Sequence, residues 1–172
     1  MAEGEVEMNK LEVLRQSFRP ERIATLFVGE SAPASGRFFY SGNSSLFRAM
    51  KKAFGNQESF LDDFRHKGFY LDDLVLTPVN KLQNRERIRL RREAVPQLAK
   101  RLTEYKPAAI VVVMRGILSV VRDAMRTAGV MYEPFCVPHP AFGNSTRFHI
   151  AMTEIVDGLP VADSCNQKGL NR

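Results

Sequence analysis

The chain has 172 residues, 44% of them hydrophobic and 26% charged, which suits one globular domain with a full core and excludes a disordered or fibrous polymer. A formal charge of +6 admits a polyanionic partner without requiring one. No apolar run approaches the roughly 18 residues of a membrane span, and the acidic, polar start MAEGEVEMNK lacks the basic and apolar regions of a secretion signal.

Residues 1–8 read as a frayed end. Asn9 is placed to cap a helix running to about Phe18, with Leu11, Val13, Leu14 and Phe18 inward, and Pro20 stops it. Ile23 to Val28 is a short apolar strand that ends at Gly29. The stretch RIATLFVGESAPASGRFFY around it organises the chain: a turn rich in Gly, Pro, Ser and Ala carries one carboxylate, Glu30, and leads to Phe38, Phe39 and Tyr40. Asn43 or Ser44 caps the next helix, with Leu46, Phe47, Met50 and Phe54 at helical spacing up to Gly55. Ser59 to His66 is a further short helix. A second strand is expected at Leu74 to Thr77, preceded by Asp72 and Asp73, paired carboxylates that suggest acid/base work or a metal but at a strand's entry are more often solvated or capping groups.

Lys81 to Arg92 is the densest basic block, with Lys81, Arg85, Arg87, Arg89, Arg91 and Arg92 set against one acid, Glu86. Such a run is either a solvated helix face or a phosphate-contacting segment. Pro96 opens a helix to Tyr105, and AAIVVVM, Ala108 to Met114, has the continuous apolar character of a buried parallel strand. A helix over Gly116 to Ala128, a strand over Tyr132 to Val137 and a helix over Ser145 to Val156 follow, and from Asp157 a polar tail is expected to be loose. Alternating strands and helices predict a three-layer α/β/α domain spanning residues 1–172, with a central parallel sheet of about four strands. Three strand-end loops then converge at one edge: Gly29 to Tyr40, Pro78 to Arg85, and Pro138 to Asn144.

These loops resemble the motifs of the uracil-DNA glycosylase superfamily. Gly29-Glu30-Ser31-Ala32-Pro33 and Gly36-Arg37-Phe38-Phe39-Tyr40-Ser41-Gly42 are similar to the first motif of its iron–sulfur branch, and Ser41-Gly42-Asn43 to a Pro-Gly-Asn of its mismatch-specific branch. His139-Pro140-Ala141 matches the family's His-Pro-Ser or His-Pro-Ala, and Thr77-Pro78-Val79-Asn80-Lys81 sits where the iron–sulfur branch has a strand end. The likeness spans about Ile23 to Ile155. The chain departs from the pattern in having two cysteines, Cys136 and Cys165, against the four a cluster needs, in one residue inserted before Pro33, and in Ala34 where the family has Gly. The family's uracil-reading Asn aligns best with Pro78, leaving Asn80 as the substitute.

The resemblance implies a DNA-repair hydrolase that flips a deaminated base out of DNA and cuts its N-glycosidic bond. Glu30 becomes the stabiliser of an oxocarbenium-like sugar and the water-orienting base, and His139 the hydrogen-bond donor to the base carbonyl. Phe39 would stack on the base, with Gly29 beside it, and Asn80 would read its Watson–Crick edge. Arg85, Arg87 and Arg89 would meet phosphate, and Phe142, with Asn144 next to it, would wedge into the vacated stack. The expectation is a monomeric, intracellular protein, cytoplasmic or nuclear, with DNA as partner and no membrane, metal or organic cofactor. Two rivals accompany it: a member of the superfamily that binds DNA without turnover, and a small-molecule enzyme handling nucleosides or nucleotides. GESAPASG is not a dinucleotide fingerprint, and no P-loop is present.

Overall fold

The computed structural model describes residues 2–162, with side chains from residue 8 onward. Four strands, β1 (Thr25–Gly29), β2 (Phe69–Asp73), β3 (Ala109–Val112) and β4 (Phe135–Cys136), form an all-parallel sheet in the order β2-β1-β3-β4. Seven helices accompany them: α1 (Ala2–Ser17), α2 (Ser45–Ala53), α3 (Phe60–His66), α4 (Asn84–Glu93), α5 (Val95–Tyr105), α6 (Leu118–Thr127) and α7 (Ser145–Val156). The connection from β1 to β2 runs across the sheet in one direction, and those from β2 to β3 and β3 to β4 run in the other. Right-handed crossovers therefore put α2 and α3 on one face and α5 and α6 on the opposite face. The packing agrees, because α5 lies against α6 and α2 against α7. The fold is the expected α/β architecture. Its strand order reverses between β1 and β3, and that reversal opens a crevice at their carboxyl ends.

Local chemistry accounts for most boundaries. The Ser44 side chain accepts from Phe47 N at 3.0 Å to cap α2, and Pro96 sits in the first turn of α5. Two boundaries differ from expectation at the N-terminus and the tail. Helix α1 begins at Ala2, not at Asn9, which lies inside it, and no proline interrupts AEGEVEMN. The tail is anchored as far as Ala162: Leu159 is buried, Pro160 O accepts from Thr25 Oγ1 at 2.7 Å, and Ala162 N donates to Lys67 O at 2.8 Å. The remainder of the expected loose tail, with Cys165, lies outside the described residues.

The second strand is also displaced. It comprises Phe69–Asp73, in register with Thr25–Gly29, and ends where the sequence pattern had it begin. Asp72 and Asp73 are inside the strand and buried. Two buried carboxylates are tolerated because cations come to them. Arg15 of α1, 3% exposed, donates through Nη1 to Asp72 Oδ1 and through Nη2 to Asp73 Oδ2, both at 2.7 Å. Arg101 of α5 lies 2.6 Å from Asp72 Oδ2, which also accepts from Tyr105 Oη at 3.1 Å. Burial works against the charge on Arg15, but Asp73 and Asp72 outweigh it and raise its pKa. The inner face of α1 is thus built from Leu11, Leu14 and Arg15, continued by Phe18 just beyond its end, while Val13 faces solvent.

The core between the sheet and α2–α3 is an aromatic cluster in which Phe27, Phe54, Phe60, Phe64 and Phe69 meet mostly edge to face or tilted, the arrangement favoured by ring quadrupoles. Tyr40 closes the outer edge of β2. Its hydroxyl donates to Leu71 O at 2.9 Å and accepts from Leu71 N at 2.7 Å. Among the described residues no helix is long and apolar enough to cross a membrane, and no cluster of His, Cys, Asp and Glu is arranged to hold a metal ion. Replacing Arg15 with Met leaves Asp73 without its cation. We expect a loss of about 3–5 kcal/mol in chemical denaturation at neutral pH, the usual cost of breaking a buried pair from one side.

Candidate active site

The crevice at the strand-order reversal is a half-enclosed cavity of about 450 Å³, within the range of small-ligand sites. It is lined by Gly29, Glu30, Ser31 and Pro33 after β1, Asp73 and Asn80 from β2 and its following loop, Val113 and Met114 after β3, and His139, Ala141, Phe142 and Asn144 after β4, with Leu46 and Arg87 at the sides. The expected convergence of three strand-end loops is therefore present. Register explains it, because Gly29 pairs with Asp73 and Val28 with both Asp72 and Val112, so the three strands end level.

The first two loops are tied to each other. Val79 N donates to Ser31 Oγ at 3.2 Å, and Ala34 N donates to Asn80 Oδ1 at 2.9 Å. Asn80 lines the cavity, its carbonyl accepting from Ala34 N and its amide NH₂ making no hydrogen bond to a described residue. Gly29 stands where a Cβ would lie 2.6 Å from Asp73 Oδ1, and any side chain there would displace that carboxylate.

Glu30 is the best-braced group. Arg87 donates to it through Nε at 2.6 Å and through Nη2, and Arg91 donates through Nε at 2.5 Å, with its Nη2 in ion-pair contact. Burial pushes the Glu30 carboxyl upward, but the hydrogen bonds from Arg87 and Arg91 outweigh it and hold the pKa below the usual carboxylate range. Glu30 is ionised, fixed in place and partly neutralised. Of the acceptor sites a carboxylate offers, the arginines leave room on Oε2 for one more donor.

His139 sits between two buried prolines, Pro138 and Pro140. Its Nδ1 accepts from Ala141 N at 3.2 Å. That bond assigns the proton of the neutral ring to Nε2, making it a donor. Burial is the main cause that lowers the His139 pKa. The Glu30 carboxylate opposes this shift and Arg87 adds to it.

Several expected roles change. Phe39 is 3% exposed and packs against Tyr40, Phe47, Phe60 and Phe64, so it is a core residue away from the cavity and cannot stack on a ligand there. The reason is that α2 and α3 bring their own aromatics to that side of the loop. Arg87 is committed to Glu30, and Arg89 pairs with Glu86 and Glu93 on its own helix. Arg85 is exposed, with no acid partner among the described residues. Phe142 is 100% exposed at the cavity rim, in the left-handed region at φ 57° with Gly143 at φ 79°. Asn144 precedes α7 without a side-chain cap bond and faces the cavity.

Sequence reasoning placed Arg91 in the basic block and Asp73 at a strand's entry, and missed that Arg91 braces Glu30 and that Asp73 lines the cavity. The position of Arg91 four residues after Arg87 was a usable signal, because that spacing puts both on one helix face. Asp73 was hidden by the displaced strand boundary. No family model matches the sequence, and no curated protein matches it.

The geometry of His139 makes a definite prediction. In an NMR titration its midpoint falls below 6.5, and the neutral form carries the proton on Nε2. In Glu30→Gln the midpoint falls further, because the carboxylate that favours the charged ring is gone. An unchanged midpoint would show that the two groups are not coupled, and a rise would contradict the sign.

Proposed function

We propose that the chain is a hydrolase of the uracil-DNA glycosylase type, removing uracil or a related deaminated base from DNA by flipping it into the cavity and cleaving its N-glycosidic bond. One observation carries the reading: Glu30, Asn80 and His139, from three separate strand-end loops, line one cavity with a fully exposed aromatic, Phe142, at its rim. An exposed phenylalanine on a strained loop tip that packs against no described residue suits insertion into a base stack.

In this mechanism a base in the stack is first extruded. Phe142 fills the gap. His139, neutral at physiological pH, donates through Nε2–H to a base carbonyl as negative charge develops on the departing base. Glu30 sets a negative charge near the sugar as positive charge develops on it, and its free Oε2 position can orient the attacking water. Arg87 and Arg91 keep Glu30 ionised and stationary, at the cost of part of its field. Arg85 contributes a sequence-independent phosphate contact.

A second reading, DNA binding without turnover, is favoured by the same pair of arginines. A carboxylate held by two guanidinium groups is a weak base and a muted electrostatic stabiliser.

The test is cleavage of an oligonucleotide carrying one uracil, single-stranded or opposite G or A, with alkali to reveal abasic sites and with hypoxanthine and xanthine substrates in parallel. Lesion-dependent cleavage is expected, reduced by roughly 10²-fold or more in His139→Ala. Salt-sensitive DNA binding with no cleavage of any lesion would select the second reading, and absence of both would overturn the two together. In either DNA-binding case Arg85→Ala should reduce the slope of log affinity against log salt by about 1.

A further inference from the structure

The two arginines on Glu30 are not held alike. Arg91 has a second anchor, since its Nη1 donates to Gly116 O at 3.4 Å, and its side chain is 11% exposed. Arg87 rests on Glu30 alone. Its Nε donates to Oε1 at 2.6 Å and its Nη2 to Oε2, while its Nη1 makes no hydrogen bond to a described residue. Its side chain is 26% exposed, and it lines the cavity, which Arg91 does not. Two guanidinium groups on one carboxylate also leave a positive charge uncompensated at the cavity wall. Such a cluster accommodates a second anion, and a phosphate presents to arginine the same paired oxygens as a carboxylate. A nucleotide flipped out of a duplex brings its own phosphates to the mouth of the cavity that receives its base.

We propose that Arg87 is a latch with two partners, holding Glu30 in the free protein and crossing to a backbone phosphate of bound DNA. This rests on the glycosylase reading and deepens it, because it makes the muting of Glu30 a property of the free protein only. The exchange replaces one charge-assisted pair by another, so the guanidinium is paired in both states. When Arg87 leaves, Oε2 is uncovered and Oε1 keeps the Nε–H of Arg91. Arg91 alone then holds the carboxylate ionised and in place. Glu30 thus recovers its field and its free oxygen when a nucleotide is at the cavity. The two arginines share one helix face but have different duties: Arg91 is the fixed brace and Arg87 the exchangeable one.

The experiment measures affinity for an undamaged duplex against salt concentration in wild type, Arg87→Gln and Arg87→Lys. An arginine that crosses to phosphate adds one counterion-releasing contact, so the slope of log affinity on log salt should fall by about 1 in Arg87→Gln. It should return to the wild-type value in Arg87→Lys, which keeps the charge. An arginine that only braces Glu30 leaves the slope of Arg87→Gln at the wild-type value, and that result overturns the latch. In the wild type, the assigned Nε–H signal of Arg87 should shift on addition of the duplex. A signal that stays where it was in the free protein also overturns the proposal, and this measurement decides the matter if the glutamine variant folds poorly. Salt-sensitive binding with an unchanged slope sinks the latch and leaves the glycosylase reading to the excision assay. A lowered slope without excision of any lesion keeps the latch and removes the glycosylase reading. Absence of DNA binding overturns both.

Discussion

The fork of Arg15 across two consecutive aspartates is the interaction on which the rest depends. Successive residues of a strand point to opposite faces, so Asp72 and Asp73 cannot share a partner that approaches from either face of the sheet. Arg15 reaches both because α1 runs past the outer edge of β2, a position Tyr40 reinforces by stacking on Phe18 at 5.3 Å. On one side the network continues to Arg101 and Tyr105, and on the other it ends at the cavity. One helix thereby neutralises the end of an edge strand and sets the orientation of a carboxylate that lines the cavity.

The cavity is built on the same economy of polar groups. Ser31, Asn80, Arg87 and Arg91 each brace one segment against another, so the loops after β1 and β2 and the helix α4 behave as a single wall. The dense basic block is therefore two populations. Arg87 and Arg91 turn inward to Glu30, whereas Arg85 turns to solvent. A net charge counted along the sequence does not separate them, because the separation depends on where Glu30 is after folding.

Features set by local chemistry were legible in the sequence. The apolar runs of β1 and β3, the Ser44 cap, Pro96 in the first turn of α5, the bounds of α7 and the level ending of the strand loops all follow from periodicity and turn residues. What was not legible depended on partners far along the chain. FYLDD looks like the approach to a strand because two adjacent charges disfavour burial, and their cations come from residues 57 and 28 or so positions away. Phe38, Phe39 and Tyr40 are likewise equivalent as letters. The packing of α2 and α3 directs Phe39 into the core, while Tyr40 is drawn to the Leu71 backbone.

The two margins of the sheet carry a consequence of their own. An uncovered strand edge is a template on which another chain can add hydrogen bonds. Here the Tyr40 hydroxyl occupies the outward amide and carbonyl of Leu71, and the opposite margin, β4, is two residues long. Among the described residues neither side offers a long ladder to extend. Copies crowded at high local concentration therefore meet through side chains rather than by strand addition, and the route to a shared intermolecular sheet is closed at both ends.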